Sequence, residues 1–242
     1  MFTVALVGAD GSGKTTVARR LEQELPETIR YMYMGFSPLA SNVALPTTRL
    51  ISQVKRWLGK GGDTSGPPDP TKVLQRSSND NPARRLAGGL KAGLRLANRL
   101  AEEWYRQGII WYLHRRGFIV LSDRHFYSDY YAHDVANDDP HQPLDSRIHG
   151  YVLRHLYPRP DLIIFLDAPA SVLYERKGEG TIELLERRRQ EYLQLRHEVR
   201  RFVSVNAEQP LDKVCADVQT AIEAFAESWS AAPAGSTASN KP

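Results

Sequence analysis

The strongest constraint on this chain lies near its start. Residues 8–15 read GADGSGKT and fit the pattern G-x-x-x-x-G-K-S/T at every fixed position. A short apolar run, TVALVG at 3–8, precedes the pattern. A stretch with helical spacing through Val17, Ala18, Leu21 and Leu25 follows it and is closed by Pro26. Strand, glycine-rich turn and helix in that order predict a phosphate cradle. Gly8, Gly11 and Gly13 let backbone N–H groups face phosphate oxygens with no Cβ in the way. The helix starting near Lys14 aims its positive end at the same anion. Lys14 is then placed for the β- and γ-phosphates of ATP and the Thr15 hydroxyl for Mg²⁺, with Asp10, Ser12 and Thr16 in the same candidate nucleotide set.

Four more segments read as strands: IRYMYM at 29–34, FIVLS at 118–122, LIIFLD at 162–167 and RFVSVN at 201–206. Helical patterns separate them, and the second has bulk on both faces, as a covered parallel sheet requires. The predicted fold is therefore α/β: a P-loop NTPase fold with a five-stranded parallel sheet and helices on both faces. The strand FIVLS runs into Asp123, which the carboxyl edge of such a sheet would set beside the cradle as a second Mg²⁺ ligand.

Length and composition bound what is built around that core. The 242 residues suit one domain, expected over 1–229, with a mobile insertion at about 59–82 rich in Gly, Pro, Ser and Asp. Residues 230–242 are expected to be a disordered tail. A net charge of +4 suits anionic small molecules and nucleic acid alike, but the charge runs lack the aromatic interleaving of single-strand grooves, so no nucleic-acid partner is expected. The single cysteine, Cys215, excludes an internal disulfide and a cysteine zinc cluster. No apolar run approaches the ~20 residues of a membrane span, MFTVAL lacks a basic leader, and the chain reads as cytoplasmic. Residues 133–145, HDVANDDPHQPLD, gather His133, Asp134, Asp138, Asp139 and His141 without a recognisable ligand spacing and read as a polar substrate-side loop. Leu86, Leu90, Leu94, Ala97, Ala101 and Trp104 form a helical stripe, with Arg84, Lys91, Arg95 and Arg99 toward another side. Such a helix could lie on an anionic membrane, but burial of the stripe within the domain is the favoured reading and membrane contact is not expected.

The loop DGSGKTT together with DRHFYS at 123–128 resembles the thymidylate kinases, with their D-G-x-G-K-S/T-T loop and D-R-Y/H-x-x-S segment. Gly117 falls where that family ends the preceding helix with glycine. LIIFLDAPASVLYERKG at 162–178 resembles its fourth strand and the helix leading to a lid, expected here at about 174–192. VNAEQPLDKV at 205–214 resembles its fifth strand and adenine loop, which adds Asn206 to the ATP set. The resemblance implies an ATP- and Mg²⁺-dependent phosphotransferase acting on a nucleoside monophosphate such as dTMP. It places Asp10 near an acceptor hydroxyl and Arg124 on the acceptor phosphate or the transferring group. Some members carry an arginine inside the loop. Here Ser12 stands instead, so the transition-state charge falls to Arg176, Lys177, Arg187, Arg188 or Arg189, with Arg176 favoured. A homodimer is left open.

Two departures concern the acceptor. YMYMGFSP at 31–38 lacks the family's Glu-Pro-Gly turn, and Glu102 falls where an arginine stacks on thymine. A carboxylate replaces neither the charge nor the plane of a guanidinium; Trp104, Tyr105 or Arg106, about one turn on, are the substitutes. Glu102 and Glu103 either bind acceptor hydroxyls or form an exposed acidic pair, the latter favoured. The alternative function is therefore phosphorylation of a hydroxyl on a sugar, nucleoside or glycan precursor, with Asp10 as base or orienting group. A nucleotide-dependent switch is a further alternative, disfavoured by the lack of an Asn-Lys-x-Asp signature.

Overall fold

The computed structural model describes residues 1–35, 43, 45, 57, 82–135, 142–197, 199 and 201–231. The expected insertion at 59–81, Asp138, Asp139, His141 and the tail from residue 232 lie outside the described residues.

Five parallel strands carry the fold: β1 (Thr3–Val7), β2 (Ile29–Tyr33), β3 (Ile119–Asp123), β4 (Leu162–Asp167) and β5 (Phe202–Asn206). Their order in the sheet is β2-β3-β1-β4-β5. The helices are α1 (Lys14–Glu24), α2 (Pro82–Arg115), α3 (Phe126–Tyr130), α4 (Leu144–His155), α5 (Ala170–Lys177), α6 (Ile182–Gln194) and α7 (Leu211–Ala231). A π-helical turn, Tyr131–Val135, extends α3.

Side chains alternate across the sheet as the two-residue period of a strand requires. Val4 and Leu6 of β1 join Leu121, Ile164 and Leu166 against Val17 and Leu21 of α1 and Val218, Ile222 and Phe225 of α7. Ala5 and Val7 point the other way, joining Val120, Ile163 and Phe165 against Ile110 of α2, Leu153 of α4 and Tyr192 of α6. Both faces are covered, so the strands read as continuous apolar runs, and the five-stranded sheet expected from the sequence is present. Because β1 lies between β3 and β4, the carboxyl end of β1 is the point where the connections part to opposite sides. Such a crevice is where open α/β sheets bind ligands.

Three expectations need correction. The described part of the stripe on α2 is not buried: Ala97 and Ala101 are exposed, as are Leu94 (62%) and Trp104 (37%), while the side chains of Leu86 and Leu90 lie outside that part. The face turned inward carries Glu102, Glu103, Arg106, Gln107 and Ile110 instead, so the acidic pair expected on the surface is interior. Paired charges there stand beside the apolar packing of Ile109, Ile110 and Leu113 between α2 and the sheet. Finally, α7 runs to Ala231, with Ser230 Oγ donating to the Ala226 carbonyl at 2.9 Å, so the first two residues assigned to the tail are helical.

Candidate active site

The turn between β1 and α1 needs backbone conformations that only glycine adopts freely. Gly11 has φ 91° and Gly13, which caps α1, has φ 87°. A Cβ at Gly11 would stand 2.7 Å from the Leu173 carbonyl of α5, and one at Gly8 would stand 2.8 Å from the Leu166 carbonyl. The turn is thus seated on the ends of β4 and α5 by close backbone approach. Lys14 is buried inside the turn it follows. Its ammonium donates to the carbonyls of Gly8 and Ala9, each at 2.9 Å, and to Ser12 Oγ at 3.3 Å. Burial, followed by the nearby Arg124 charge, pulls the Lys14 pKa down to about 8 despite Asp123 and Asp10.

β1 and β3 are paired with Leu6 opposite Asp123, which brings Asp123 to the same sheet edge. Thr15 donates its hydroxyl to Asp123 Oδ2. Asp123 Oδ1 is buried and has no hydrogen-bond partner among the described residues. A hydroxyl and a carboxylate with a spare oxygen are hard donors of the kind Mg²⁺ takes, and the ion keeps several waters besides. These two residues therefore fit Mg²⁺. Among the described residues no group of three or more His, Cys, Asp or Glu side chains is arranged for a metal, Asp134 of the 133–145 stretch included.

The chain then turns sharply at Arg124, whose φ of 69° makes it the one non-glycine residue with positive φ among the described residues. This left-handed conformation costs free energy in a residue with a Cβ and marks sites where geometry matters. Its amide is fixed to the Leu6 carbonyl at 3.0 Å, and its guanidinium meets Asp10. His125, buried and held neutral with its pKa pushed down to about 3 by burial, caps α3 by accepting the Tyr127 amide.

Asp10 is gripped from the other side by α6. Arg188 donates to Asp10 Oδ2 at 2.6 Å, and the next residue, Arg189, holds Asp167 at the end of β4 through Nε at 2.5 Å and Nη2 at 3.1 Å. Burial alone would raise the Asp10 pKa; Arg124, Lys14 and Arg188 together pull it down to about 2. A small pocket lies at this junction, lined by Gly8, Asp10, Arg124, Ser128, Asp129 and Arg188 among others. Asp129 accepts from the Tyr192 hydroxyl at 3.0 Å, and burial raises its pKa even though Arg124 lies near.

The candidate residues therefore divide. Gly8, Asp10, Gly11, Ser12, Gly13, Lys14, Thr15, Asp123 and Arg124 meet around one turn, and Thr16 is exposed on the first turn of α1. Arg176 is turned elsewhere, donating to the Ala207 carbonyl at 2.8 Å, next to the exposed Asn206. Arg187 is exposed, and of the three consecutive arginines it is Arg188 that reaches the cradle. Sequence alone did not separate them; the signal was helical phase, since Arg188 follows the buried Leu185 by three residues. Arg106, one of the substitutes for the missing base contact, is buried and already engaged. It grips Glu102 Oε1 through Nε and Nη2 at 3.0 and 2.7 Å and the Gly35 carbonyl through Nη1 at 2.8 Å.

A parallel sheet of this order, with this turn after β1 and an aspartate closing β3, is consistent with the P-loop kinase fold. Within that class the chain is thymidylate kinase-like, and it is an ATP-dependent kinase. It is 29% identical over 229 residues to a probable thymidylate kinase of Staphylothermus marinus, covering 90% of this chain and 92% of that protein. It is equally 29% identical over 229 residues to a probable thymidylate kinase of Pyrobaculum aerophilum, covering 92% and 97%. With a thymidylate kinase of Haemophilus ducreyi it shares 40% identity over 75 residues, 27% of this chain and 35% of that protein. No family model matches the chain.

Proposed function

We propose that the chain transfers the γ-phosphoryl group of ATP to a nucleoside monophosphate, with dTMP the first candidate, in the cytoplasm. The observation that carries the reading is Asp10 held between Arg124 and Arg188 at the mouth of the cradle. Phosphoryl transfer asks a protein for position and positive charge more than for covalent chemistry. Two guanidiniums from opposite sides of the cleft, parked on one carboxylate, supply both.

In this reading the loop amides and Lys14 hold the phosphates, Lys14 leaving its present carbonyl partners to do so. Thr15 and Asp123 would hold Mg²⁺, which would supply neutralising charge for the phosphates. Arg124 serves the acceptor side. Residues 174–192 act as the lid, hinged at Gly178 and Gly180, whose φ values are 65° and 80°, and Arg188 is its working arginine in place of Arg176 or Arg187. Arg176 and Asn206 border the adenine end. Asp10 releases the two arginines as phosphates arrive and is left to orient the acceptor.

One observation favours a second reading, phosphorylation of a neutral hydroxyl. Arg106 is tied to Glu102 and to backbone, and Asp10, Asp129 and Glu191 all line the pocket beside the cradle. Carboxylates there suit a hydroxyl better than an anionic phosphate. ADP release from Mg-ATP across dTMP, other nucleoside monophosphates, nucleosides and sugars separates the two, with Lys14→Ala as control. A response to nucleotides sustains the first reading; a response confined to neutral hydroxyls replaces it with the second.

A further inference from the structure

Behind the acceptor side lies a second set of buried charges that the phosphate machinery does not use. Glu103 of α2, Asp134 of the π-helical turn and His149 of α4 meet with side-chain exposures of 0%, 1% and 0%. The imidazole is held from both sides. Nε2 lies 2.7 Å from Glu103 Oε1, and Nδ1 lies 2.6 Å from Asp134 Oδ2.

The proton count follows from the chemistry of the groups. An ionised carboxylate only accepts, and a neutral imidazole carries a single N–H. Two short contacts from one ring to two ionised carboxylates therefore need two protons on the ring, which an imidazolium provides. Burial opposes that charge, but the hydrogen bonds the ring donates to Asp134 and Glu103 outweigh it and raise the His149 pKa above its ordinary 6.5. Other charged or titratable groups face the cluster from each packed element. From α2, the Arg99 guanidinium lies 3.8 Å from Asp134 Oδ2. From α3, Tyr130 sets its ring edge-on to the imidazole at 4.5 Å. From α4, Arg154 donates to the Val135 carbonyl, and Tyr157 just beyond donates to the Glu103 carbonyl at 3.4 Å. With Arg99 and an imidazolium against two carboxylates, the cluster is neutral overall.

The cluster is joined to the cleft by covalent chain and by packing. Asp134 stands five residues beyond Asp129, which lines the pocket at the cradle, and Tyr130 between them touches His149. Beside His149, a Cβ on Gly150 would overlap the Asp134 carbonyl oxygen, so α4 and the turn meet backbone to backbone.

We propose that His149, as an imidazolium clamped between Glu103 and Asp134, is a positioning residue for the phosphoryl acceptor. It fastens α2, the π-helical turn and α4 together and thereby fixes residues 124–130, so that acceptor affinity, but not ATP affinity, weakens in alkaline solution. This rests on the reading above that residues 124–130 face the acceptor. Since the ring's pKa is raised on folding, the clamp is complete below pH 6.5 and is lost as pH rises through the higher folded-state value. Beyond that point a bare ring nitrogen faces a carboxylate across a hydrogen-bond distance, and the contact turns repulsive.

The test combines three measurements between pH 6 and 9.5 on the full chain, on Glu103→Gln and on His149→Gln. They are the NMR titration of the His149 ring, amide hydrogen exchange corrected for intrinsic rate, and KM for ATP and for the active acceptor. Wild-type acceptor KM should rise about tenfold through the His149 midpoint while KM for ATP stays level. Exchange of amides 126–135 should rise through the same midpoint, and that of the cradle amides should not. Glu103→Gln removes one of the two carboxylates and should move all of these midpoints to lower pH. His149→Gln should abolish the inflection. Asp134→Asn serves in place of Glu103→Gln if that variant does not fold. A ring already neutral at pH 6, a midpoint unmoved by Glu103→Gln, or exchange that ignores the midpoint overturns the proposal. The exchange arm needs no acceptor, so failure to find a substrate would count against the proposed function and leave the clamp separately decided.

Discussion

The two sides of the cleft are built by different means. On the donor side, short-range backbone geometry does the work: three glycines, the start of α1 and the ends of β1, β3 and β4 converge because a parallel sheet of this order sends its carboxyl ends to one edge. On the side proposed for the acceptor, helices of an otherwise ordinary domain are joined by interior charge. Arg106 is locked to Glu102, and His149 is locked between Glu103 and Asp134. Away from its glycines and Lys14, a backbone cradle tolerates side-chain change, because its remaining donors are main-chain groups. A network of buried side chains does not, since removing one partner leaves another charged and unpaired in a low-dielectric interior.

That contrast is open to direct attack, starting where the effect should be greatest. Lys14→Ala should lower phosphoryl transfer on the order of 10³-fold in an ADP-release assay while leaving the thermal unfolding profile two-state. A much smaller loss would mean that the backbone alone suffices. Arg188→Ala should cost about 10²–10³ in kcat with KM for ATP little changed, whereas Arg187→Ala should stay within about twofold. Equal losses in the two variants would remove the distinction drawn between neighbouring arginines of α6. On the acceptor side, Gly150→Ala should destabilise the fold by about 2–4 kcal/mol in chemical denaturation, through overlap with the Asp134 carbonyl. Stability within error of wild type would show that α4 and the turn can part.

The smallest effect concerns Lys14 itself. Burial holds its pKa near 8, and ATP phosphates would restore it, so binding should take up protons between pH 8 and 10.5. The sign for stability is the reverse of a favourable ion pair. The buried ammonium weakens the nucleotide-free fold below about pH 8, and the cost fades toward pH 10.5. Binding heats at pH 9 in two buffers of different ionisation enthalpy would differ if this holds and agree if it does not.

The same contrast governs how much could be read from the sequence. The cradle is eight consecutive residues, and Asp123 closes an unmistakable apolar strand, so the sheet and the turn after β1 were legible in the sequence. α2 was misread because its burial is inverted. Leu94, Ala97, Ala101 and Trp104 satisfy the helical period yet face outward, while Glu102, Glu103, Arg106 and Gln107 face in. Hydrophobic periodicity assumes that the inward face is apolar, and here paired charges satisfy it instead. The i, i+4 spacing of Glu102 and Arg106 was a local trace of this. Asp134 and His149, 31 and 46 residues from Glu103, left none.

Gly150 carries a consequence beyond its own contact. A position that admits no side chain at all, next in sequence to a histidine whose two partners sit at fixed distances upstream, is a compact signature. Proteins that share the phosphate turn are too numerous for that turn to sort them. A glutamate, an aspartate and a His-Gly pair spaced as Glu103, Asp134 and His149-Gly150 are here would pick out, from sequence alone, those that share this buried cluster.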